Sequence, residues 1–374
     1  MSWSAATPPT RRILRPIASL AMGLVLSACS TVGYYAHVAH GQGELVLHRR
    51  AVDSVIDDPR TDPALKRRLE LSQQARRFAS TRLALPENRS YTSYVPLDRP
   101  YVVWNVFATP RYAVEAIQHC FLFAGCVAYR GYFTHDKAKA EAARLQALGD
   151  DVYVSGVAAY STLGWFADPI LSSMLHWDDD ELAGTIFHEL AHQRLYVKDD
   201  SEFNESFAAF VQDEGVREWR LSRGLAPSEG HDKAMDDGFT KLVLDLRHRL
   251  KTLYASGIDE PHMATGKQRE IADFRARYAA WREREWPGDH RYDAWVASPI
   301  NNARLLPFGL YAHWTPAFAA LFERSGRQWP VFYEDARQWS RLPPAERSKL
   351  LQQWLEAATP RAKAASEAAD PAFP

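Results

Sequence analysis

Apolar residues recur at intervals of three and four through most of the chain, which is the spacing of amphipathic helices. Between residues 85 and 170 the pattern changes to short runs rich in Tyr, Val, Trp and Phe that are separated by prolines, which is typical of strands and ordered loops. The chain is therefore predicted to be mainly α with a small β element, an α+β fold. The predicted elements are helices over Glu44–Ile56, Pro63–Phe78 and Lys137–Leu148, strands over Tyr101–Phe107 and Asp151–Tyr160, and mainly helical structure from Asp178 to Glu356.

The first 28 residues have the composition of a signal peptide. Three arginines precede an apolar stretch, Pro16–Leu26, that is shorter than the roughly 20 helical residues needed to span a membrane. Two small residues then lead to Cys29, and Leu26–Cys29 resembles a bacterial lipobox. This resemblance implies a lipid on Cys29, and Ser30 after it favours the outer membrane, with the protein facing the periplasm. A buried apolar segment with a structural cysteine is the alternative.

The remaining chain is predicted to form one domain over residues 29–358. Its parts are N-terminal helices over 44–80, a mixed strand and loop part over 85–170, and a helical part over 178–358. The last residues, 359–374, are polar and rich in Ala and Pro, and we expect a disordered tail.

Charge and cysteine content narrow the possible partners. The 45 Lys+Arg and 46 Asp+Glu residues leave a net charge of −1, so nucleic acid is not an expected partner and membrane association would depend on the lipid. Once Cys29 carries a lipid, Cys120 and Cys126 remain in an oxidising compartment, where a disulfide between them is predicted. A zinc site from this pair is less favoured, because only His119 lies nearby as a further ligand.

The predicted helix after Asp178 contains His188, Glu189 and His192 in the HExxH pattern. Two histidines four residues apart share one helix face and can bind one cation, while the glutamate lies about 100° around the helix. Zinc lowers the pKa of a bound water to about 7, and Glu189 can then take its proton and pass it to a leaving amine. Apolar neighbours on the same helix indicate that it is central to the fold.

A third protein ligand is expected on the next helix. Leu195 and Lys198 stand where the metzincin pattern requires Gly and His, which excludes that class. A cap at Asp199–Ser201 and a Phe stripe predict a second, antiparallel helix that brings Glu205 to the two histidines and leaves a fourth position for water. Glu202 is the alternative ligand. The Asn204–Glu205 pair resembles that of the gluzincin metallopeptidases, so we expect a zincin-like fold with one Zn²⁺ per chain.

Candidate substrate-binding groups lie on both sides of this motif. Val157–Phe166 is a possible edge strand for a peptide substrate, and Tyr160 could donate to the oxyanion or simply be a packed aromatic. Tyr311 is a further candidate donor to the oxyanion. Tyr129 and Arg130 are similar candidates, and Arg130 could bind a carboxylate of the substrate. The adjacent Asn301 and Asn302 are more typical of a helix cap.

Five segments together resemble the bacterial putative aminopeptidase family of HExxH zinc peptidases: Leu85–Tyr91, Val103–Ala108, Ala124–Phe133, Ala159–Pro169 and Phe187–Gln193. The resemblance implies an enzyme that hydrolyses peptides. No Gly-Ala-Met-Glu-Asn string, which grips the free amine in other aminopeptidases, is present, so exopeptidase and endopeptidase activity both stay open. A lipid-anchored binding protein with an idle zinc site and an amidase on non-peptide envelope material are the alternative functions. Nothing in the sequence indicates the oligomeric state.

Overall fold

The computed structural model describes residues 32–121, 125–159, 162, 166–227, 230–308 and 313–368. The chain divides into two compact units, Met1–His48 and Arg49–Pro374. The described part of the first unit is a helix over residues 32–47 (α1) with a turn at His48. Among the described residues, no helix combines the length and the apolar character needed to cross a membrane.

The second unit contains the remaining elements. Its helices are α2 (Val52–Asp57), α3 (Pro63–Thr81), α4 (His135–Ala147), α5 (Asp179–Arg194), α6 (Ser201–Ser222), α7 (Gly230–Tyr254), α8 (Glu260–Glu285), α9 (Asp293–Ala297), α10 (Thr315–Arg324), α11 (Trp329–Ser340) and α12 (Pro344–Ala368), with short 3₁₀ helices at Ser172–Met174 and Asn302–Leu305. Its strands are β1 (Arg50–Ala51), β2 (Ser93–Val95), β3 (Val103–Thr109), β4 (His119–Phe121), β5 (Gly125–Val127), β6 (Tyr129–Tyr132), β7 (Asp151–Val157) and β8 (Ile170–Leu171). The prediction of a mainly helical chain with a small β element is confirmed.

The prediction of one helix over Glu44–Ile56 is wrong. The chain leaves the helical conformation after α1, forms β1, and becomes helical again in α2. In β1, Arg50 lies opposite Tyr94 of β2 in an antiparallel pair, and the Val52 N–H donates to Thr92 O at 3.0 Å. Pairing with a distant segment therefore overrides the helical periodicity of this stretch.

The helix predicted at Pro63 is confirmed, and its first turn shows why it begins there. The Asp62 carboxylate accepts hydrogen bonds from the N–H groups of Ala64 and Leu65 at 2.8 and 3.1 Å. Pro63 occupies the first helical position, where the missing N–H costs nothing. Arg68 then ties α3 to the start of α5 through Asp179, with Nη1 and Oδ1 2.6 Å apart.

Among the described residues, three small sheets make up the β element. The largest has the order β6-β3-β7, with β3 antiparallel to both neighbours and Asn105 opposite Gly131 and Ser155. The others have the order β1-β2-β8 and β4-β5. The predicted strand Asp151–Tyr160 ends earlier, at Val157, because the next carbonyl, of Ala158, accepts from Ser173 Oγ at 2.6 Å instead of continuing the ladder.

Two of the aromatic clusters in the described part of the chain support the helices. Around α5 and α6, buried phenylalanines pack against α3, α10 and α11; Phe78 and Phe187 rings are 5.9 Å apart, and Phe203 and Phe318 rings 5.2 Å apart. The second core joins α7 and α8 around Phe239 and Phe274. The helix that carries the HExxH pattern is thus enclosed by the first core.

The tail predicted to be disordered from residue 359 is helical as far as Ala368, so that boundary is wrong. Alanine, lysine, arginine and glutamate dominate this stretch, and all four favour helix. Residues 369–374 lie outside the described part of the chain.

Candidate metal centre

α5 presents two histidines on one face. The helix begins at an Asp178 cap, whose carboxylate accepts from the Glu181 N–H at 2.8 Å, and three acidic residues occupy its first turn. His188 and His192 are both buried and lie one turn apart. The apolar residues of α5 pack in the core, so the orientation of this face is fixed.

α6 brings a carboxylate to the same point. The Asp200 side chain caps its start by accepting from Phe203 N–H at 3.0 Å. The Asn204 amide accepts from Val197 N–H and donates to Val197 O, both at 2.7 Å, and so locks the turn between the helices. Glu205, the next residue, faces α5 with 15% of its side chain exposed.

The three side chains converge at distances that suit one cation. His188 Nε2 and His192 Nε2 are 3.1 Å apart, and Glu205 Oε2 lies 3.3 and 3.5 Å from them. A tetrahedral zinc ion with bonds of about 2.0–2.1 Å separates its ligand atoms by about 3.3 Å. Two imidazole nitrogens and one carboxylate oxygen are also a ligand set that catalytic zinc uses, so these residues fit the ion.

The three side chains of the cluster shift the pKa values of Glu205 and His192. Burial acts to raise the pKa of Glu205, but His192 and His188 outweigh it and bring that pKa well below its ordinary value. Burial acts to lower the pKa of His192, but the Glu205 carboxylate reverses this and raises it. The cluster therefore contains an ionised carboxylate that is held between two imidazoles.

Glu189 lies next to this cluster without belonging to it. Burial raises its pKa above the ordinary value, while His188 and His192 act in the opposite direction. A carboxylate with a raised pKa is a stronger base than one in water. The role of Glu189 as a proton acceptor, expected from the spacing, stays a prediction.

A polar network around the buried Asp168 contacts the last turn of α5. Gln193 donates to Asp168 Oδ2 at 3.3 Å and accepts from Asn88 Nδ2 at 2.7 Å. Asp168 in turn accepts from the Thr162 hydroxyl at 2.7 Å and the Thr162 N–H at 3.1 Å. The segment before α5, the HExxH helix and the loop after α3 are thereby joined.

Other residues considered from the sequence have different partners. The Glu202 carboxylate is 2.7 Å from His313 Nδ1 and is absent from the cluster of ligand atoms. Arg130 lies 3.7 Å from Glu141, and Tyr129 packs on the Phe107 ring at 5.3 Å.

The two asparagines have structural partners. Asn301 caps a 3₁₀ helix by accepting from Arg304 N–H at 3.0 Å, as the capping interpretation predicts. Asn302 is buried and accepts from Tyr254 Oη at 2.8 Å.

Tyr160, Tyr311 and Cys29 lie outside the described residues. Their proposed roles as oxyanion donors and as the lipid attachment point stay predictions.

The structure joins Cys120 and Cys126 in a disulfide between β4 and β5. This hairpin contacts the turn between α5 and α6, because the Cys126 N–H donates to Asp199 Oδ1 at 2.5 Å. Gly125 has a φ of +77°, and a Cβ there would overlap the same carboxylate, so both its conformation and its contact require glycine.

Sequence reasoning assigned no role to Tyr91, Asp168, Gln193 or Tyr196. Burial, and then the charges of Glu205 and Asp199, raise the pKa of Tyr196. Tyr91, Asp168 and Gln193 each lie in a segment that carries the family resemblance, so the sequence did contain a signal for these three residues. Periodicity does not reveal that these segments contact one another beside α5.

Comparisons with known proteins agree with that resemblance. A family model described as "Putative aminopeptidase" matches residues 33–351. The matched range contains the three candidate ligands, Glu189 and the polar network beside α5. No curated protein and no solved structure matches the chain.

Proposed function

The chain belongs to the putative aminopeptidase family, and from this premise we propose that it hydrolyses peptide bonds at a zinc ion held by His188, His192 and Glu205. The observation that carries the proposal is the convergence of two imidazole nitrogens and one carboxylate oxygen at 3.1, 3.3 and 3.5 Å. The same ligand set supports a gluzincin-like arrangement, with the HExxH helix beside the helix of the third ligand.

Glu189 is the general base of the proposed reaction. Zinc in this site supplies a Lewis acid that acidifies water and polarises the scissile carbonyl. Glu189 takes the proton of the attacking water and transfers it to the leaving amine nitrogen, so the carboxylate is regenerated at the end of the cycle. Its burial on α5 supports this role, because a desolvated carboxylate holds a proton more strongly.

The substrate is proposed to be a peptide that lies along Val157–Phe166, the segment that follows β7. Among the described strands β7 pairs only with β3 and so stands at the edge of its sheet. Tyr160, a few residues beyond the end of β7, and Tyr311 stay the proposed donors to the developing oxyanion.

We also propose that the protein is held at the bacterial envelope by a lipid on Cys29, facing the periplasm.

A peptide-library digest with mass-spectrometric readout tests the function. The purified protein should cleave peptides with zinc present, and Glu189→Gln should keep about one zinc per chain while kcat falls by about 10²- to 10⁴-fold. A zinc chelator should abolish cleavage by the wild type. Single-residue trimming from the amino terminus would identify an aminopeptidase, and internal cuts an endopeptidase.

Equal product patterns from the wild type and Glu189→Gln would contradict the proposal. That result would favour a binding protein with an idle zinc site. Cleavage of amide-containing cell-wall material with no peptide product would instead favour the amidase.

A further inference from the structure

α1 exposes many large apolar side chains for a helix of its length. Val32, Tyr35, Val46 and Leu47 are 67, 39, 43 and 83% exposed. They are four of the eleven exposed large apolar residues in the described part of the chain, although α1 contains only residues 32–47. Single exposed apolar residues are normal on a protein surface, whereas a concentration of them marks an interaction site.

The four side chains lie on one face of α1. With 100° of rotation per residue, they fall within an arc of about 120°. The other positions in this arc are Ala36, Ala39 and Gly43, so the arc contains no charged residue. A Cβ added at Gly43 would meet no atom within 4 Å. We call these seven residues the apolar face of α1.

The polar residues of α1 lie beside this face. His40 Nε2 is 3.4 Å from Glu44 Oε1, and both side chains are exposed. Glu44 is the one residue among the Asp, Glu, Lys and Arg types in α1. A helix with an apolar face and a polar edge is suited to lie in the plane of a lipid surface, with the apolar face about 5–10 Å deep in the boundary between headgroups and acyl chains.

The proposed lipid on Cys29 would bring this face to a bilayer. Val32 follows Cys29 by three residues, and three extended residues span no more than about 11 Å. The apolar face is about 24 Å long and about 10 Å wide, roughly 240 Å². A stable protein interface buries about 800 Å² on each partner, so the face suits a lipid surface better than a second copy of the chain.

We propose that α1 lies in the plane of the membrane surface, with its apolar face inserted among the lipids. This inference rests on the proposed lipid on Cys29, which holds the helix at the bilayer. The lipid supplies most of the attraction to the membrane, and the helix adds orientation. Contact along the whole of α1 restricts a rotation that a single flexible tether would allow.

Photo-crosslinking tests which surface α1 contacts. The full chain is produced with photoreactive benzoylphenylalanine in place of Tyr35, Val46, Glu44 or Val331, and each protein is reconstituted in vesicles of phosphatidylethanolamine and phosphatidylglycerol. Val331 on α11 is the matched control, because it is 43% exposed, as Val46 is. Glu44 reports on the polar edge of the same helix. We expect phospholipid adducts, identified by mass spectrometry, at Tyr35 and Val46 and their loss at the two control positions.

The same samples separate the inference from the proposed anchor, because the mass of the N-terminal peptide reports the lipid on Cys29. Lipidated protein that forms no phospholipid adduct at Tyr35 and Val46, or an equal amount at Val331, would overturn the inference and leave the anchor standing. Crosslinks to a second copy of the chain in place of phospholipid would also overturn it. If Cys29 carries no lipid, the proposed anchor fails, and phospholipid adducts confined to Tyr35 and Val46 would still support α1 as the membrane-contacting helix.

Discussion

At the residue scale, the positions of the candidate ligands are fixed by chain segments of different length. His188 and His192 are separated by one turn of α5, so helix geometry puts both rings on one face, where their Nε2 atoms lie 3.1 Å apart. Glu205 needs the turn between α5 and α6 as well, and Asn204 fixes that turn through both polar groups of Val197. A substitution that moves the turn would therefore displace the carboxylate before it displaced either histidine.

The identity of the third ligand gives a prediction at this scale. Glu205→Ala should weaken zinc binding by about 100-fold or more, because even residues that only support a ligand contribute about 10- to 100-fold. Glu202→Ala should bind zinc as the wild type does, since its carboxylate faces His313. Zinc competition against a chromophoric chelator measures both affinities. Tight zinc binding by Glu205→Ala together with loss in Glu202→Ala would reverse the assignment.

The same residues show what the sequence can and cannot predict. The HExxH pair is a local pattern, and Glu205 follows from a short connection between two helices, so both could be predicted. Asp168 and Tyr91 could not, because the hydrogen bonds of Asp168 with Gln193 and with the Tyr91 N–H join segments far apart along the chain. Neither residue is part of a periodic pattern that marks it as buried beside the centre.

At the element scale, the start of α6 is held from the C-terminal part of the chain. Arg347 of α12 is buried, and its Nε and Nη2 lie 2.8 and 2.7 Å from Asp200 Oδ2. Its Nη1 donates to Leu342 O at 2.7 Å. The other Asp200 oxygen caps α6, so one carboxylate links the helix of the candidate third ligand to α12.

Removing the Arg347 side chain should destabilise the folded protein. We expect Arg347→Met to lower the free energy of unfolding by about 3 kcal/mol, because it leaves the Asp200 carboxylate without its buried partner. Urea denaturation followed by circular dichroism measures the change. Arg337→Met on α11 is the control, since its pair with Glu334 is exposed and should contribute less than about 1 kcal/mol. Equal losses in the two variants would argue against a special role for Arg347.

Among the elements, helices were more predictable than strands. α3 and α5 have local start signals, at Asp62 and Asp178, that can be read from the sequence. The two-residue strands β1 and β8 have none, since each exists only because β2 lies beside it. The prediction of one helix over Glu44–Ile56 was wrong for this reason, because β1 lies within that stretch.

At the scale of the whole molecule, the mainly helical class followed from the length and spacing of the apolar segments. The way in which the described helices share aromatic clusters did not, because helices of similar periodicity pack around α5 and α6 in one case and pair as α7 and α8 in the other. Periodicity shows which face of a helix is buried but not which helix covers it.

The position of the molecule in the cell is the prediction that belongs to this scale. A net charge of −1 offers little attraction to an anionic membrane surface, to which each Lys or Arg near it would contribute about 1 kcal/mol. A lipid contributes about 0.8 kcal/mol for each buried CH₂ group, so acylation of Cys29 would dominate membrane binding. We therefore expect the full chain, produced in a Gram-negative host with a clickable fatty acid, to incorporate the label and to need detergent for its extraction. Cys29→Ser should lose the label, whereas the Cys120→Ser/Cys126→Ser double variant should keep it. Labelling that persists in Cys29→Ser, or that is absent from the wild type, would show that the anchor lies elsewhere or does not exist.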